Sequence, residues 1–103
     1  MFELIKNLFG IKSIDYAQLV QDGAIILDVR TSGEFSTGHI KGSINIPVNA
    51  LSKNLAKLKA KNKPIITCCA SGMRSASAKG ILTSNGFINV HNGGRWASLN
   101  NKI

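Results

Sequence analysis

Residues 64–75 read PIITCCASGMRS, an apolar run that leads into a loop containing glycine. The run at 64–68 predicts a strand buried on both faces, which is typical of a parallel sheet covered by helices. A helix from about Arg74 to Ser84 is expected next, and its small residues would let it lie close to the sheet. A second apolar run at 24–29 predicts another buried strand. Together these segments indicate an α/β fold.

The remaining segments alternate in type along the chain. Asp15 is predicted to cap a helix at 16–21, with Gln18 three positions on as in a capping box. Ser32 is predicted to cap a short helix that ends at Gly38. We also expect a strand at 43–46, a helix at 50–60, a short strand at 87–90 and a turn at 91–94. This order predicts a central, mainly parallel sheet of about five strands flanked by helices.

The 103 residues are expected to form a single domain, 11–103, preceded by an N-terminal amphipathic extension, 1–10. In the extension, one helical face carries Phe2, Ile5, Leu8 and Phe9. That face either packs on the domain or anchors the chain at a membrane surface. No apolar run approaches the roughly 18 residues of a membrane span, so no membrane span is expected. No secretory signal is recognisable either.

The charge of the chain is strongly asymmetric. Thirteen Lys and Arg against five Asp and Glu give a net charge of +8, and residues 35–103 hold ten of the basic residues and none of the acids. A partner of this part of the chain is expected to be anionic: a small anion, an acidic protein surface or nucleic acid. The two cysteines are adjacent and cannot close a disulfide loop, which favours a reducing, cytoplasmic setting.

Cys69 falls at the predicted carboxyl end of a strand, the edge at which open α/β sheets bind ligands. A loop between a strand end and a helix N-terminus directs several backbone N–H groups into one concavity. These groups stabilise a thiolate and lower its pKa. They also suit an anionic substrate, and Arg74 adds a positive charge near the end of the loop.

Three interpretations of Cys69 remain open from its position alone. It is a small buried core residue, an activated nucleophile, or a zinc ligand. Adjacent cysteines fit zinc poorly, because zinc ligands usually come in spaced pairs. A zinc site would have to be formed by Cys68, Cys69, His39 and His91.

The spacing to Arg74 distinguishes the two cysteines. Cys68 precedes Arg74 by the spacing of a cysteine-dependent phosphatase, whereas the loop from Cys69 to Arg74 is one residue tighter. A tighter loop suits a smaller group, such as a sulfur atom, better than a phosphoryl group. Cys68 would still lie within the buried strand, and Thr67 stands where phosphatases commonly carry histidine. The pattern therefore favours Cys69 as the nucleophile.

At these residues the sequence resembles the rhodanese (sulfurtransferase) family, single-domain type, over nearly the whole chain from about Ile11 to Trp96. Three blocks in order make the resemblance specific. The first block comprises Asp28-Val29-Arg30, Glu34-Phe35, Gly38-His39-Ile40, Gly42-Ser43 and Asn45-Ile46-Pro47. The active-site block comprises Pro64-Ile65-Ile66 and Cys69-Ala70-Ser71-Gly72-Met73-Arg74-Ser75, and the closing segment comprises Gly86-Phe87, Asn89-Val90, Gly93-Gly94 and Trp96.

The resemblance implies a sulfurtransferase with a rhodanese-like fold and Cys69 as its catalytic residue. The Cys69 thiolate would take a sulfur atom from a donor such as thiosulfate, and the resulting persulfide would pass it to a thiol or to cyanide. The step needs a thiolate and an anion-stabilising cradle, but no metal and no cofactor. The backbone N–H groups of Ala70, Ser71, Gly72, Met73 and Arg74 are the expected cradle. Asp28, Arg30 and Glu34 are expected to form a polar network that supports the loop.

Two positions depart from the family pattern. Ala70 stands where the family often carries arginine, which removes a positive group that would hold thiosulfate. Thiosulfate is therefore expected to be a poor substrate. Cys68 stands where an apolar or aromatic residue is usual, and it is either a buried strand residue or a resolving thiol.

Two further functions remain as alternatives. The domain could be a non-catalytic binding module that docks on an acidic protein or RNA through its basic face, where Lys53, Lys57, Lys59, Lys61 and Lys63 cluster. No aromatic residues are interleaved with these lysines, so nucleic acid is an unlikely partner. An acidic sulfur-relay protein remains a candidate partner. The third function is phosphatase or arsenate-reductase chemistry, which the short loop disfavours.

Overall fold

The computed structural model describes residues 14–58 and 61–103. The amphipathic extension predicted at 1–10 and Lys59 lie outside the described residues. The helices are α1 (Tyr16–Gln21), α2 (Ser32–Ser36), α3 (Met73–Ser84) and α4 (Trp96–Asn100), with two 3₁₀ helices at Val48–Lys53 and Leu55–Leu58. The strands are β1 (Ile25–Asp28), β2 (Ile44–Asn45), β3 (Ile65–Cys69) and β4 (Val90–Arg95).

The strands form one sheet in the order β2-β1-β3-β4, and every neighbouring pair is parallel. The described residues therefore contain four strands, where the sequence predicted about five. The prediction of an α/β fold with a parallel sheet flanked by helices is confirmed. All four carboxyl ends meet at one edge, which brings together the chain after Asp28, Asn45, Cys69 and Arg95.

The last strand was misplaced by the sequence pattern. The predicted strand at 87–90 and turn at 91–94 are instead a strand that starts at Val90 and runs to Arg95. The ladder with β3, from Ile65–Val90 onwards, keeps these residues in the sheet despite their two glycines. Gly93 fits there because a Cβ would lie 2.8 Å from Cγ2 of Ile66.

The helix predicted at 50–60 is also wrong. The chain forms two short 3₁₀ helices that are separated at Asn54, whose side chain donates a hydrogen bond to the carbonyl oxygen of Ala50 at 2.8 Å. This break lets Leu51 and Leu58 both become fully buried. Tertiary burial here overrides the helical spacing of the leucines.

Two predicted helix caps also differ in detail. Asp15 caps α1, but Gln18 returns no side-chain bond to it and instead donates to the carboxylate of Asp22. Thr31, rather than Ser32, is the N-cap of α2. It forms a full capping box with Glu34, because the Thr31 side chain accepts from the Glu34 N–H while the Glu34 carboxylate accepts from the Thr31 N–H.

The sheet separates two apolar cores. One lies beneath α3 and the 3₁₀ helices and includes Leu27, Ile65, Leu82 and Cys69. The other lies on the opposite face, where Cys68 packs with Ile66 and Leu99. Because successive strand residues point to opposite faces, the two neighbouring cysteines belong to different cores. No helix among the described residues is long and apolar enough to cross a membrane.

Candidate active site

Cys69 is the last residue of β3, and the loop after it turns directly into α3. Gly72 precedes the helix with a φ of 98°, in the left-handed region that glycine adopts without strain. This turn points the first free N–H groups of α3 back at the end of β3. The sulfur of Cys69 therefore lies at a helix N-terminus, where backbone donors are unpaired.

The Sγ atom of Cys69 accepts hydrogen bonds from two backbone N–H groups. The Gly72 nitrogen is 3.0 Å from it and the Ser75 nitrogen is 3.3 Å from it, while the Ser75 hydroxyl oxygen lies at 3.4 Å. Burial raises the pKa of Cys69. The hydrogen bonds from Ser75, Ser71 and Gly72 outweigh that effect, so the pKa lies below its ordinary value of 9.0. The local backbone thus favours a thiolate.

Two further polar residues complete this site. Ser75 lies in the active-site block of the sequence but was given no role there, and Asn92 was not singled out. Ser75 is fully buried, and its hydroxyl lies 2.7 Å from Oδ1 of Asn92 on β4. The same Oδ1 also accepts from the Gly94 N–H at 3.0 Å, which fixes the amide. Ser75 could have been anticipated from its place in the first turn of a helix after the loop. No local signal in the sequence indicates Asn92, because the contact spans the sheet.

Arg74 does not present a free positive charge to the loop. Its guanidinium forms a bidentate ion pair with Glu34, with Nη1–Oε1 and Nη2–Oε2 distances of 2.7 and 3.0 Å. Hydrogen bonds from Arg74 and, to a smaller extent, from Thr31 lower the pKa of Glu34 to about 2. This pair ties the start of α3 to α2, forty residues earlier in the chain.

Asp28 and Arg30 form a buried ion pair next to the Arg74–Glu34 pair. The Asp28 carboxylate accepts from Nε and Nη2 of Arg30 at 3.0 and 2.8 Å. Nη2 also donates to the Gly38 carbonyl oxygen at 2.7 Å, and the guanidinium carbon lies 4.7 Å from the ring centroid of Trp96. Arg30 therefore satisfies the buried carboxylate and holds the segment after α2 against the sheet.

The two pairs meet at the chain segment that contains Glu34. Nη1 of Arg30 donates to the Glu34 carbonyl oxygen at 3.4 Å, while the Glu34 side chain binds Arg74. The three residues expected to support the loop are thus brought together and connected to it. The connection runs from Asp28 through Arg30 and Glu34 to Arg74.

Cys68 does not share this environment. Its side chain is on the other face of the sheet, and burial together with the nearby Asp28 carboxylate raises its pKa to about 12. Strand alternation keeps its sulfur away from that of Cys69. The opposite directions of the two side chains argue against a resolving role for Cys68.

Cys69 is fully buried beneath its loop, of which Ala70, Ser71 and Met73 are exposed. An open groove of about 270 Å³ lies beside the loop and is lined by Val29, Thr31, Pro47, Val48, Asn49 and Arg74. Cys69 does not line it.

The histidines lie apart from the cysteines. Nδ1 of His39 is 2.7 Å from the Phe35 carbonyl oxygen, and the two rings are stacked. Nε2 of His91 is 2.8 Å from Oδ1 of Asn89. Neither contact brings an imidazole to a cysteine sulfur, and residues 14–58 and 61–103 contain no group of three or more His, Cys, Asp and Glu side chains able to hold a metal ion.

Comparison with known proteins agrees with this geometry. The family model of the Rhodanese-like domain matches residues 14–94. A solved structure described as a rhodanese with anions from E. coli superposes with a TM-score of 0.69 at 30% identity, covering 73% of this chain and 89% of that one. The chain belongs to the rhodanese-like domain family.

Three curated relatives show the range of proteins that carry the domain. The protein YibN of Escherichia coli K12 is 38% identical over 72 residues, which are 68% of this chain and 50% of YibN. Thiosulfate sulfurtransferase PspE of the same organism is 33% identical over 69 residues, 66% of each chain. The tRNA uridine(34) hydroxylase of Buchnera aphidicola is 32% identical over 78 residues, 71% of this chain and 25% of the hydroxylase. The match thus spans half of YibN, a quarter of the hydroxylase and about two thirds of PspE.

Proposed function

We propose that this protein is a sulfurtransferase that carries sulfur as a persulfide on Cys69. The observation that carries the proposal is the pair of N–H groups, from Gly72 and Ser75, directed at the Cys69 sulfur. They stabilise negative charge on sulfur without a metal or a base. The family membership and the relative named thiosulfate sulfurtransferase support the same activity.

The proposed reaction has two displacement steps. The Cys69 thiolate attacks the sulfane sulfur of a donor such as thiosulfate, a new S–S bond forms at Cys69, and the bond within thiosulfate breaks so that its electron pair leaves with sulfite. Cyanide or a thiolate then attacks the terminal sulfur, and the Cys69 thiolate departs. Net charge is conserved in both steps, and no general base is needed once the thiol has ionised.

The remaining site residues have positioning roles in this proposal. The cradle for the anionic sulfur is proposed to comprise the backbone N–H groups of Ala70, Ser71, Gly72, Met73 and Arg74. Within this set Gly72 donates to the Cys69 sulfur, and the second backbone donor is Ser75, one residue beyond it. Asp28, Arg30 and Glu34 hold that loop through the contact chain that ends at Arg74.

The partner and the setting follow from the same chemistry. A small sulfur-containing anion supplies the sulfur, and a thiol, including one on an acidic sulfur-relay protein, receives it. Exposed Lys53, Lys57, Lys61 and Lys63 offer a basic surface for such a protein. Two reduced cysteines suit a reducing, cytoplasmic setting.

Intact mass spectrometry tests the proposal. Incubation with thiosulfate or with a small alkyl persulfide is expected to add one sulfur atom, about 32 Da, as covalent catalysis requires. Cys69→Ser is expected to lose the adduct, whereas Cys68→Ser, the matched control, is expected to keep it. No adduct from either donor, or an adduct that persists in Cys69→Ser, would contradict the proposal.

A further inference from the structure

Arg95 lies at the same sheet edge as Cys69. It ends β4, and its Cα is the register partner of the Cys69 Cα across the pair of strands. The loop after Cys69 approaches the same place, because a Cβ on Gly72 would lie 3.6 Å from the Cα of Gly94. Arg95 is thus next to the proposed nucleophile in space, although it is far from it in sequence.

Arg95 is also placed on the Cys69 face of the sheet. Asn92 reaches Ser75 of α3 on that face, and a Cβ on Gly93 would meet Ile66 and Leu99 on the other face. The register between the two strands shifts by one residue here, because Gly93 and Gly94 together lie opposite Cys68, and Gly94 has a φ of 76°. A bulge of one residue returns position 95 to the face of Cys69.

Arg95 differs from the other two arginines in its contacts. Arg30 is buried against Asp28, and Arg74 is bound to Glu34 by two hydrogen bonds. Arg95 is exposed and makes no ion pair or side-chain hydrogen bond with any residue in the described ranges. Its guanidinium is thus available at an edge where Ala70 supplies no charge.

We propose that Arg95 binds the anionic group of the sulfur donor. The inference rests on the proposed function and narrows its donor class to molecules whose leaving group is an oxyanion, such as the sulfonate end of thiosulfate. A guanidinium binds two oxygens of such a group at once. As the S–S bond of thiosulfate breaks, its electron pair leaves with sulfite, and Arg95 binds the charge that accumulates there. Arg95 takes the place of the arginine missing at position 70.

Kinetics of persulfide formation test this role. With thiosulfate as the donor, Arg95→Gln is expected to raise KM about tenfold, as expected for the loss of a hydrogen bond to a charged group. The rate constant at saturation should change less. With a small alkyl persulfide that lacks sulfonate and carboxylate groups, the same variant should behave as the unsubstituted protein.

Lys41→Gln is the matched control, because it removes one exposed positive charge three residues before β2, near the opposite edge of the sheet. It should leave KM for thiosulfate unchanged. Arg95→Lys should recover part of the affinity, since it keeps the charge but loses the two-oxygen geometry. Equal effects of Arg95→Gln and Lys41→Gln would mean that only net charge matters and would overturn the inference.

Binding measurements separate this inference from the proposed function. Calorimetry measures the Kd of thiosulfate for Cys69→Ser, which binds without reacting, and for Cys69→Ser with Arg95→Gln. A weaker Kd in the double variant supports Arg95 even if no persulfide ever forms. The inference would be refuted if Arg95→Gln changed neither the Kd nor the KM for thiosulfate. If Cys69 were still loaded with persulfide in that case, the proposed function would stand.

Discussion

Ser75 meets the Cys69 sulfur twice, through its backbone nitrogen at 3.3 Å and its hydroxyl oxygen at 3.4 Å. The hydroxyl also lies 2.7 Å from Oδ1 of Asn92 and 3.0 Å from the Gly72 carbonyl oxygen. With Cys69 protonated, the thiol donates to Ser75 and the hydroxyl donates onward. With Cys69 ionised, the hydroxyl can rotate and donate to the sulfur. Ser75 therefore serves both protonation states.

Ser75→Ala is expected to raise the pKa of Cys69, because the thiolate loses a hydroxyl donor while the backbone N–H remains. Persulfide formation at neutral pH should slow about tenfold, the usual effect of losing one hydrogen bond to a charged group. An ultraviolet titration of thiolate absorbance measures the pKa. Ser77→Ala, at an exposed position of the same helix, is the control and should change neither quantity. An unchanged Cys69 titration in Ser75→Ala would contradict this role.

The two cysteines should titrate in opposite directions from 9.0. Cys69 ionises below that value, and Cys68 stays a thiol until about pH 12. In the unfolded chain Cys68 ionises near its ordinary pKa, so its contribution to folding is complete below 9.0 and is lost as pH rises towards 12. Over this range the free energy of unfolding is expected to fall by at most about 1.4 kcal/mol per pH unit.

Cys68→Ala provides the measurement for this prediction. At neutral pH the free energy of unfolding should fall by about 1–2 kcal/mol, since a buried sulfur leaves a small cavity. The difference between the two proteins should narrow above pH 9, because only the original thiol loses stability there. Denaturant unfolding at several pH values measures this difference in stability. A constant difference across that range would refute the raised pKa.

Arg74→Gln should release Glu34 from its ion pair. The pKa of Glu34, about 2 with Arg74 present, is expected to rise towards its ordinary value of 4.5. The hydrogen bonds from Thr31 retain part of the depression. A carbon NMR titration of the Glu34 carboxyl group reports the change, and Lys79→Gln on the same helix is the charge-matched control. The ion pair should persist as pH falls until it approaches 2, because Glu34 is protonated only there.

Gly93 and Gly80 should respond oppositely to alanine. A Cβ at Gly93 would lie 2.8 Å from Cγ2 of Ile66 and 2.9 Å from the Thr67 carbonyl oxygen, whereas nothing lies within 4 Å of one at Gly80. Gly93→Ala is expected to destabilise by about 1–3 kcal/mol through overpacking. Gly80→Ala, in the middle of α3, should stabilise by roughly 0.5–1 kcal/mol. Thermal unfolding compares the two, and equal effects would contradict the close packing at Gly93.

Local features of the chain sufficed for much of the fold. The apolar runs at 24–29 and 64–68 predicted two buried parallel strands, because continuous apolar sequence fits a sheet covered on both faces. The prediction of one helix at 50–60 was wrong. The leucines there have helical spacing, but they are buried through two 3₁₀ helices on either side of Asn54. The turn predicted at 91–94 was also wrong, because the pairing of β4 with β3 outweighs the turn preference of two glycines.

The sequence by itself determined the chemistry of the loop. A cysteine at a strand end, followed by Gly72 and a helix, brings backbone donors to the sulfur through local geometry alone. Only the tertiary structure decided what surrounds it. The pairing of Arg74 with Glu34, the contact of Ser75 with Asn92 and the placement of Arg95 beside Cys69 all join residues far apart in the chain. Such contacts depend on strand order and register, which parallel pairing fixes only when the whole sheet has formed.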